Sequence, residues 1–435
     1  MIIREGNSFL YYSLLLVVAS LPFHFLVSSY AIIIALLLFI FEISKSPEFR
    51  KKITASIKKN KIAGLLLTFF LFNAISFVIH IKDYENLSVG LTSLEQKLSF
   101  IIFPLLLSDI SSYDKKQIKM FIFVFISSIA LSTSIALCSA VIHTYLSNSL
   151  YYFDKDTGVL FNNFMYHRLG SYVGMHAVYF AEYVLFAFIM LVSYSYHYFS
   201  QWPTKNKIVA VVFGIYLICI IFLLKSAAIL FILLTIIALF TFYYLYKAKE
   251  HINTKSKIGI AIIGIALISI LGIRAMSKIG SKADFFTYDL SQPGGGEWNG
   301  INLRLAKWNV AKMVIADHWR WGVGPGNTSS TLDKYYEKVG FNYALQLHYN
   351  PHNQVLHTFL SAGIFGIMLL ILIFIISFFQ SIKKKDSLMF LFLVSFVLFS
   401  MSESTLAVNK GIVFFTLFLS YFSYLPNKIS YYLHD

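Results

Sequence analysis

Between Gln354 and Gln380 the sequence carries no Asp, Glu, Lys or Arg. An α-helix rises 1.5 Å per residue, so about 20 apolar residues cross the roughly 30 Å hydrocarbon core of a bilayer. This run is longer than that. Comparable runs lie near residues 8–22, 25–42, 62–79, 98–108, 119–142, 172–195, 208–224, 226–246, 258–274, 387–402 and 409–425. Overall 57% of the residues are hydrophobic and 13% charged, whereas an average soluble domain has roughly 25% charged residues. That balance excludes an ordinary cytosolic enzyme. The expectation is an all-α polytopic membrane protein with about twelve transmembrane helices, forming one integral membrane domain over residues 1–435. The N-terminal run lacks a small-residue cleavage site and continues into a second apolar stretch, so it is read as a retained helix. The fourth run is short and contains Pro104; it suits a tilted or re-entrant segment as well as a crossing.

A net charge of +15 would suggest nucleic acid in a soluble protein, but here the basic residues must first be sorted by membrane side. With the N-terminus inside, the inward segments collect Arg4, Lys45, Arg50 to Lys52, Lys58 to Lys61, Lys115 to Lys119, Lys205, Lys207, Lys247 to Lys257, Lys383 to Lys385 and Lys428. Both termini are therefore expected in the cytoplasm. The basicity is topogenic and requires no nucleic-acid partner. Cys138 and Cys219 fall inside predicted spans and support neither a disulfide framework nor a cysteine metal site.

One segment, residues 275–351, is far longer than a connection between helices requires, and it is expected outside the cytoplasm. Trp298, Trp308, Trp319 and Trp321 lie in it, and Asn302 to Trp319 reads as a helix with Arg304, Trp308, Ala311 and Ile315 on one stripe. An Arg on such a stripe either snorkels to lipid phosphates or serves a site. The run Trp321-Gly322-Val323-Gly324-Pro325-Gly326-Asn327 follows a helix rather than a strand, so it is no dinucleotide loop. It is a tight turn, or one whose N–H groups meet a phosphate. Pro293 to Gly296 reads as a hinge. The segment closes on His348-Tyr349-Asn350-Pro351-His352-Asn353-Gln354, where Pro351 presets a first helical turn and places His352 and Asn353 at a helix N-terminus. His352 is then a cap or a functional imidazole.

Other ionisable groups converge on the same side: Arg168 before the sixth span, His176 and Glu182 in its outer half, Lys225 between the seventh and eighth, and Glu403 after the eleventh. Such groups at membrane depth are functional candidates, although Glu182 and Lys225 also suit a structural pair. The acidic doublets Asp83 with Glu85 and Asp154 with Asp156 read as solvated carboxylates, with a divalent-metal site as the alternative.

Taken together, Asn302-Leu303-Arg304-Leu305-Ala306-Lys307-Trp308, then Gly322-Val323-Gly324, then Asn350-Pro351-His352-Asn353-Gln354 and the helix with Gly363 and Gly366 resemble the O-antigen ligase and polymerase superfamily of bacterial membrane glycan transferases. The resemblance covers about seventy residues well and the remainder by topology. It implies a twelve-helix membrane glycosyltransferase fold acting on a glycan attached to undecaprenyl diphosphate. By the same resemblance Arg304 engages the diphosphate and His352 acts at the acceptor. Lys225-Ser226 stands where other members carry Ser-Arg, keeping positive charge without a bidentate fork. His176 with Tyr179 matches a His-Tyr element of some members.

These residues make chemical sense. Breaking a sugar–diphosphate bond builds negative charge that Arg304, Lys225 and Arg168 can stabilise without a metal or other cofactor. The attacking hydroxyl must lose a proton, and an imidazole such as His352 can take it. His176, Asn353, Tyr179 and Glu182 are expected to support the site. The leading function is a ligase moving the glycan to lipid A-core at the periplasmic face of a bacterial inner membrane, for lipopolysaccharide biosynthesis. A polymerase joining lipid-linked repeat units is the near alternative, and a transporter or flippase of lipid-linked sugars the more distant one. Membrane lipids surround the chain in every case.

Overall fold

The computed structural model describes residues 5–83, 87–153, 160–247 and 300–426. The ninth predicted span, 258–274, and the segment 275–299 lie outside the described residues. An antiparallel pair opens the chain, α1 (Glu5–Ser20) and α2 (Phe25–Lys45), followed by α3 (Pro47–Lys59), α4 (Lys61–Ile79), α5 (Leu87–Lys97), α6 (Ser99–Leu106) and α7 (Lys115–Ser147). A small antiparallel hairpin of β1 (Tyr151–Phe153) and β2 (Leu160–Asn162) pairs Tyr152 with Phe161. Then come α8 (Tyr166–Ser171), α9 (Ala177–Tyr198), α10 (Thr204–Leu223) and α11 (Ala227–Lys247). The C-terminal part holds α12 (Gly300–His318), α13 (Thr328–Lys338), α14 (Asn342–Gln346), α15 (Gln354–Lys384), α16 (Ser387–Ser400) and α17 (Asn409–Tyr424).

Among the described residues seven helical segments are long and apolar enough to cross a membrane: α2, α4, Leu87–Ser112, α7, α9, α10 and α15, with shorter apolar helices in α1, α11 and α16. The chain is an all-α multi-pass membrane protein. The bundle is organised around α17, buried from Lys410 to Tyr424, and around α9, also mostly buried. Lipid tails are as apolar as the helices, so close packing rather than water exclusion must hold the bundle together. Aromatic edges and faces do much of it, with Phe186 4.9 Å from Phe418 and Phe396 4.5 Å from Phe415 between ring centroids.

Two buried lysines close the ends of helices. Lys384 Nζ donates to the carbonyls of Phe422, Ser423 and Leu425 at 3.1, 2.9 and 2.6 Å, satisfying acceptors that the end of α17 leaves open. At the other end of α17, Lys410 Nζ donates to Leu21 O at 2.8 Å, to Phe23 O and to Ser28 Oγ, tying down the turn between α1 and α2.

The expected spans need three corrections. Residues 47–59, read only as a basic cytoplasmic connection, form α3: Ser46 Oγ accepts from Phe49 N at 3.2 Å, Pro47 opens the first turn, and Phe49 and Ile53 are buried. Its Lys52 pairs with Asp109 of the following elements. The fourth span is a longer, broken stretch, with α5 ending at Lys97, α6 beginning at Ser99 and Pro104 inside α6. Finally α15 is kinked at Gly363, where φ is 61° and ψ −160°.

That kink is where the Gly-rich turn docks. Val323 N donates to Leu360 O at 2.8 Å, Gly324 N to Ser361 O at 3.1 Å, and Ile364 N to Trp319 O at 2.9 Å. The kink frees carbonyls in α15, and the turn supplies their donors. A Cβ on Gly363 would lie 2.2 Å from Arg320 O, and one on Gly322 2.5 Å from Leu360 O, so both positions require glycine. With Gly322 N bonded to His318 O, these N–H groups are committed to the protein, and the phosphate reading of the turn is withdrawn.

Candidate active site

α12, α13 and α14 enclose a small core of their own, in which Ala306, Val310, Ala311 and Val314 meet Val323, Leu332, Tyr336, Phe341 and Leu360. The buried face of α12 thus runs through Asn302, Ala306, Lys307, Val310 and Val314. Arg304, Trp308 and Ile315, placed on the buried stripe from sequence, are half-buried at its edge. There Trp308 Nε1 donates to Pro351 O at 2.8 Å, and Arg304 reaches Glu403.

The segment 350–354 is stitched to the turn after α16 by almost every polar side chain it has. Asn350 Oδ1 accepts from His352 N at 2.8 Å and from Ser404 Oγ at 3.4 Å. Asn353 Nδ2 donates to Met401 O at 3.2 Å, and Gln354 Oε1 accepts from Leu406 N at 2.6 Å. Asn353 is also the N-cap of α15, its Oδ1 accepting from Leu356 N at 3.1 Å. The cap reading of His352 is therefore corrected: the helix starts at Gln354, and Pro351 lies before its first turn. His352 instead sits ahead of the cap with φ 45°, in the left-handed region that costs a non-glycine residue about 1–2 kcal/mol. Such strain persists only where the surroundings impose it, and here the Asn350 and Asn353 bonds do so.

The imposed backbone turns the ring toward Glu403. His352 Nδ1 lies 2.8 Å from Glu403 Oε2, and Arg304 Nη2 lies 3.4 Å from Oε1 of the same carboxylate. A carboxylate only accepts, so Nδ1 carries the hydrogen and Nε2 remains to take a proton. Burial pushes the Glu403 carboxyl up, but the His352 hydrogen bond and the electrostatic pull of His352, Arg304 and His176 outweigh it and hold it below its ordinary value. Glu403 is thus an anion shared by an imidazole and a guanidinium.

Two further walls close around it. Lys307, one turn from Arg304, is 2% exposed, with its ammonium 4.4 Å above the Tyr349 ring. Burial and then the Arg304 charge bring it down to about 7, against the opposing pull of Glu403. On the other side His176 is the N-cap of α9, Nδ1 accepting from Val178 N at 3.4 Å, rather than a residue inside the span. Its ring is 4.4 Å from that of His167, and Tyr166, with φ 50°, precedes His167. Burial lowers both imidazoles, His167 to about 4.

The remaining expected site residues are not drawn into this cluster. Arg168 lies between aromatic faces, its guanidinium carbon 4.0 Å from the Tyr152 ring and 4.8 Å from the Tyr172 ring. Lys225 is exposed at the turn between α10 and α11, with φ 47°. Neither is among the groups acting on Glu403. Tyr179 is buried between His176 and Phe399. Glu182, 1% exposed, lies one turn deeper in α9 and makes no pair with the exposed Lys225. Of the acidic doublets, Asp83 ends a short 3₁₀ turn, while Glu85, Asp154 and Asp156 lie outside the described residues. Among the described residues no group of three or more His, Cys, Asp or Glu is placed to hold a metal ion.

Reading by residue type found His352, Arg304 and His176 but missed Lys307, His167 and Tyr166, and it gave Glu403 no role. Lys307 follows Arg304 by three positions, but it sits on the buried face of α12 while Arg304 lies at its edge.

A carboxylate, an imidazole and cations are gathered at one end of a helical bundle. Over part of its length the chain is similar to the O-antigen ligase family, whose model, described as O-antigen ligase, matches residues 209–371. That match brings in Lys225, Arg304 and His352 and stops short of Glu403. It supports a membrane glycosyltransferase of the O-antigen ligase or polymerase type. No curated protein matches the chain.

Proposed function

We propose that this protein is a ligase transferring a glycan from undecaprenyl diphosphate to a hydroxyl of lipid A-core, at the periplasmic face of a bacterial inner membrane, with both termini in the cytoplasm. The observation that carries this reading is the Glu403–His352 hydrogen bond of 2.8 Å beside Arg304. In the reaction the acceptor oxygen bonds to the anomeric carbon while the bond from that carbon to the diphosphate oxygen breaks. His352 Nε2 takes the hydroxyl proton, and Glu403 fixes the ring tautomer and stabilises the imidazolium that forms. Arg304, assisted by Lys307, binds the diphosphate and offsets the charge it gains on leaving. The Lys225 and Arg168 roles expected from sequence lose their geometric support to Lys307.

The Arg304 side chain is 36% exposed, so a diphosphate can reach it from the open side of the pocket and compete with Glu403 for it. The test is reconstitution of the purified protein with lipid-linked glycan and either lipid A-core or a second lipid-linked glycan as acceptor. Product on lipid A-core alone supports the ligase. Extension of the lipid-linked glycan alone makes the protein a polymerase, and carrier movement across vesicles without a new glycosidic bond defeats both.

A further inference from the structure

We propose that an anionic phospholipid occupies the groove between α9 and α10, its phosphate at the α9–α10 connection and one acyl chain running to the middle of the bilayer.

The groove is a cavity of about 480 Å³ lined by Phe188, Leu191, Phe199, Gly214 and Ile218 among others, with Ser195 and Tyr196 as its polar side chains. From Phe199 at the connection to Phe188 within α9, the helical rise gives about 16 Å. That is close to half of the roughly 30 Å hydrocarbon core, the depth of one leaflet. An acyl chain fits this length and this lining.

Charge selects the headgroup. Lys205 is exposed in the first turn of α10, and Lys207 holds its ammonium 5.5 Å from the Phe199 ring at the groove mouth. Lys119 of α7 donates to Tyr198 OH at 2.8 Å close by. No Asp or Glu occurs between Glu182 and Glu250, so nothing in this stretch neutralises the mouth. A lysine near a membrane surface contributes about 1 kcal/mol of attraction to anionic lipid.

Gly214 keeps the groove open. A Cβ there would meet Leu191 Cδ2 and Phe188 Cε2 at 3.8 Å, ordinary contact, and a larger side chain would extend into the acyl path. The groove also lies apart from the candidate active site. His176 caps the opposite end of α9, a 22-residue helix about 33 Å long, so the lipid belongs to the other leaflet from the glycan donor. It would brace α9, which positions His176, against α10, whose groove-lining Val211 and Ile215 are otherwise exposed.

The full chain, purified in detergent and equilibrated with equimolar phosphatidylglycerol and phosphatidylcholine, is assayed for retained lipid by quantitative mass spectrometry. Phosphatidylglycerol is expected to be retained in preference. Lys205→Gln with Lys207→Gln should weaken that retention roughly tenfold or more, and Gly214→Leu should abolish it. Equal retention of the two lipids by the parent overturns the proposal. So does preference that survives Gly214→Leu, which means that surface charge acts without the groove. The lysine pair, of which Lys205 is exposed and Lys207 half-buried, keeps the test valid if Gly214→Leu fails to fold.

Discussion

His352 Nδ1 and Glu403 Oε2, from residues 51 positions apart in sequence, lie 2.8 Å apart on the two sides of one polar turn contact. Their union depends on Asn350, Asn353 and Gln354, each of which bonds a residue between Met401 and Leu406. Glu403→Gln preserves shape and removes the charge, so the ring is no longer fixed with its hydrogen on Nδ1. Transfer is expected to fall by about 10² or more at unchanged membrane abundance. Because the folded-state carboxyl is held low, its stabilising contribution is present above the ordinary pH of about 4.3 and disappears as pH falls through the depressed value. Thermal unfolding in detergent across that range should show the loss in the parent and not in Glu403→Gln.

Arg304→Lys separates charge from geometry. Lys offers one ammonium where Arg offers a planar fork to two phosphate oxygens. Donor binding and transfer should both drop by more than tenfold with protein level unchanged. Near-parental transfer would assign Arg304 to headgroup snorkelling.

Lys307 provides a pH signature. Its ammonium is brought down to about 7 by burial and then by Arg304. The folded protein therefore binds fewer protons than the unfolded chain between about 7 and the ordinary lysine value of about 10.4, and stability should rise with pH across that window. Lys307→Met should flatten the rise. Donor diphosphate favours the charged form, so its binding should be accompanied by proton uptake above pH 7, measurable in two buffers of different ionisation heat. Equal heats in both buffers would remove Lys307 from the donor site.

The all-α, multi-pass membrane character and the two motifs around Arg304 and His352 were legible in the sequence because both are local signals: long apolar runs, and residues closely spaced along one helix or one turn. Four things were not. α3 was hidden because a helix with six basic or acidic residues among Pro47–Lys59 reads as a loop when only hydropathy is followed, although its Phe49 and Ile53 were spaced four apart. The break between Lys97 and Ser99 merges into one apolar run. Glu403 acquires its role only from a contact across the fold, and Lys307 only once the buried face of α12 is known.

Gly363→Ala tests the docking of the Gly-rich turn on α15. The added methyl would lie 2.2 Å from a backbone carbonyl at a φ of 61°, so neither a rotamer change nor a side-chain shift relieves it. A loss of about 2 kcal/mol or more is expected. Protease sensitivity should increase first near residues 319–324, where three backbone hydrogen bonds hold the turn. Unchanged protection there would refute the docking.

His352→Gly distinguishes chemistry from architecture more sharply than alanine does. At φ 45° the histidine backbone is strained, and glycine adopts this region without a Cβ clash. Removing the side chain therefore relieves about 1 kcal/mol of strain while it deletes the ring and its bond to Glu403. The glycine variant should keep the parent's abundance and donor binding, with transfer reduced about 10²- to 10⁴-fold as for loss of a general base. His352→Ala should match that activity loss but be the less stable of the two. A side chain of purely structural use would give the reverse pattern, normal transfer wherever the protein folds. If His352→Gly transfers within a few-fold of the parent, the base lies elsewhere, and His176 on the opposite wall is the next imidazole to replace.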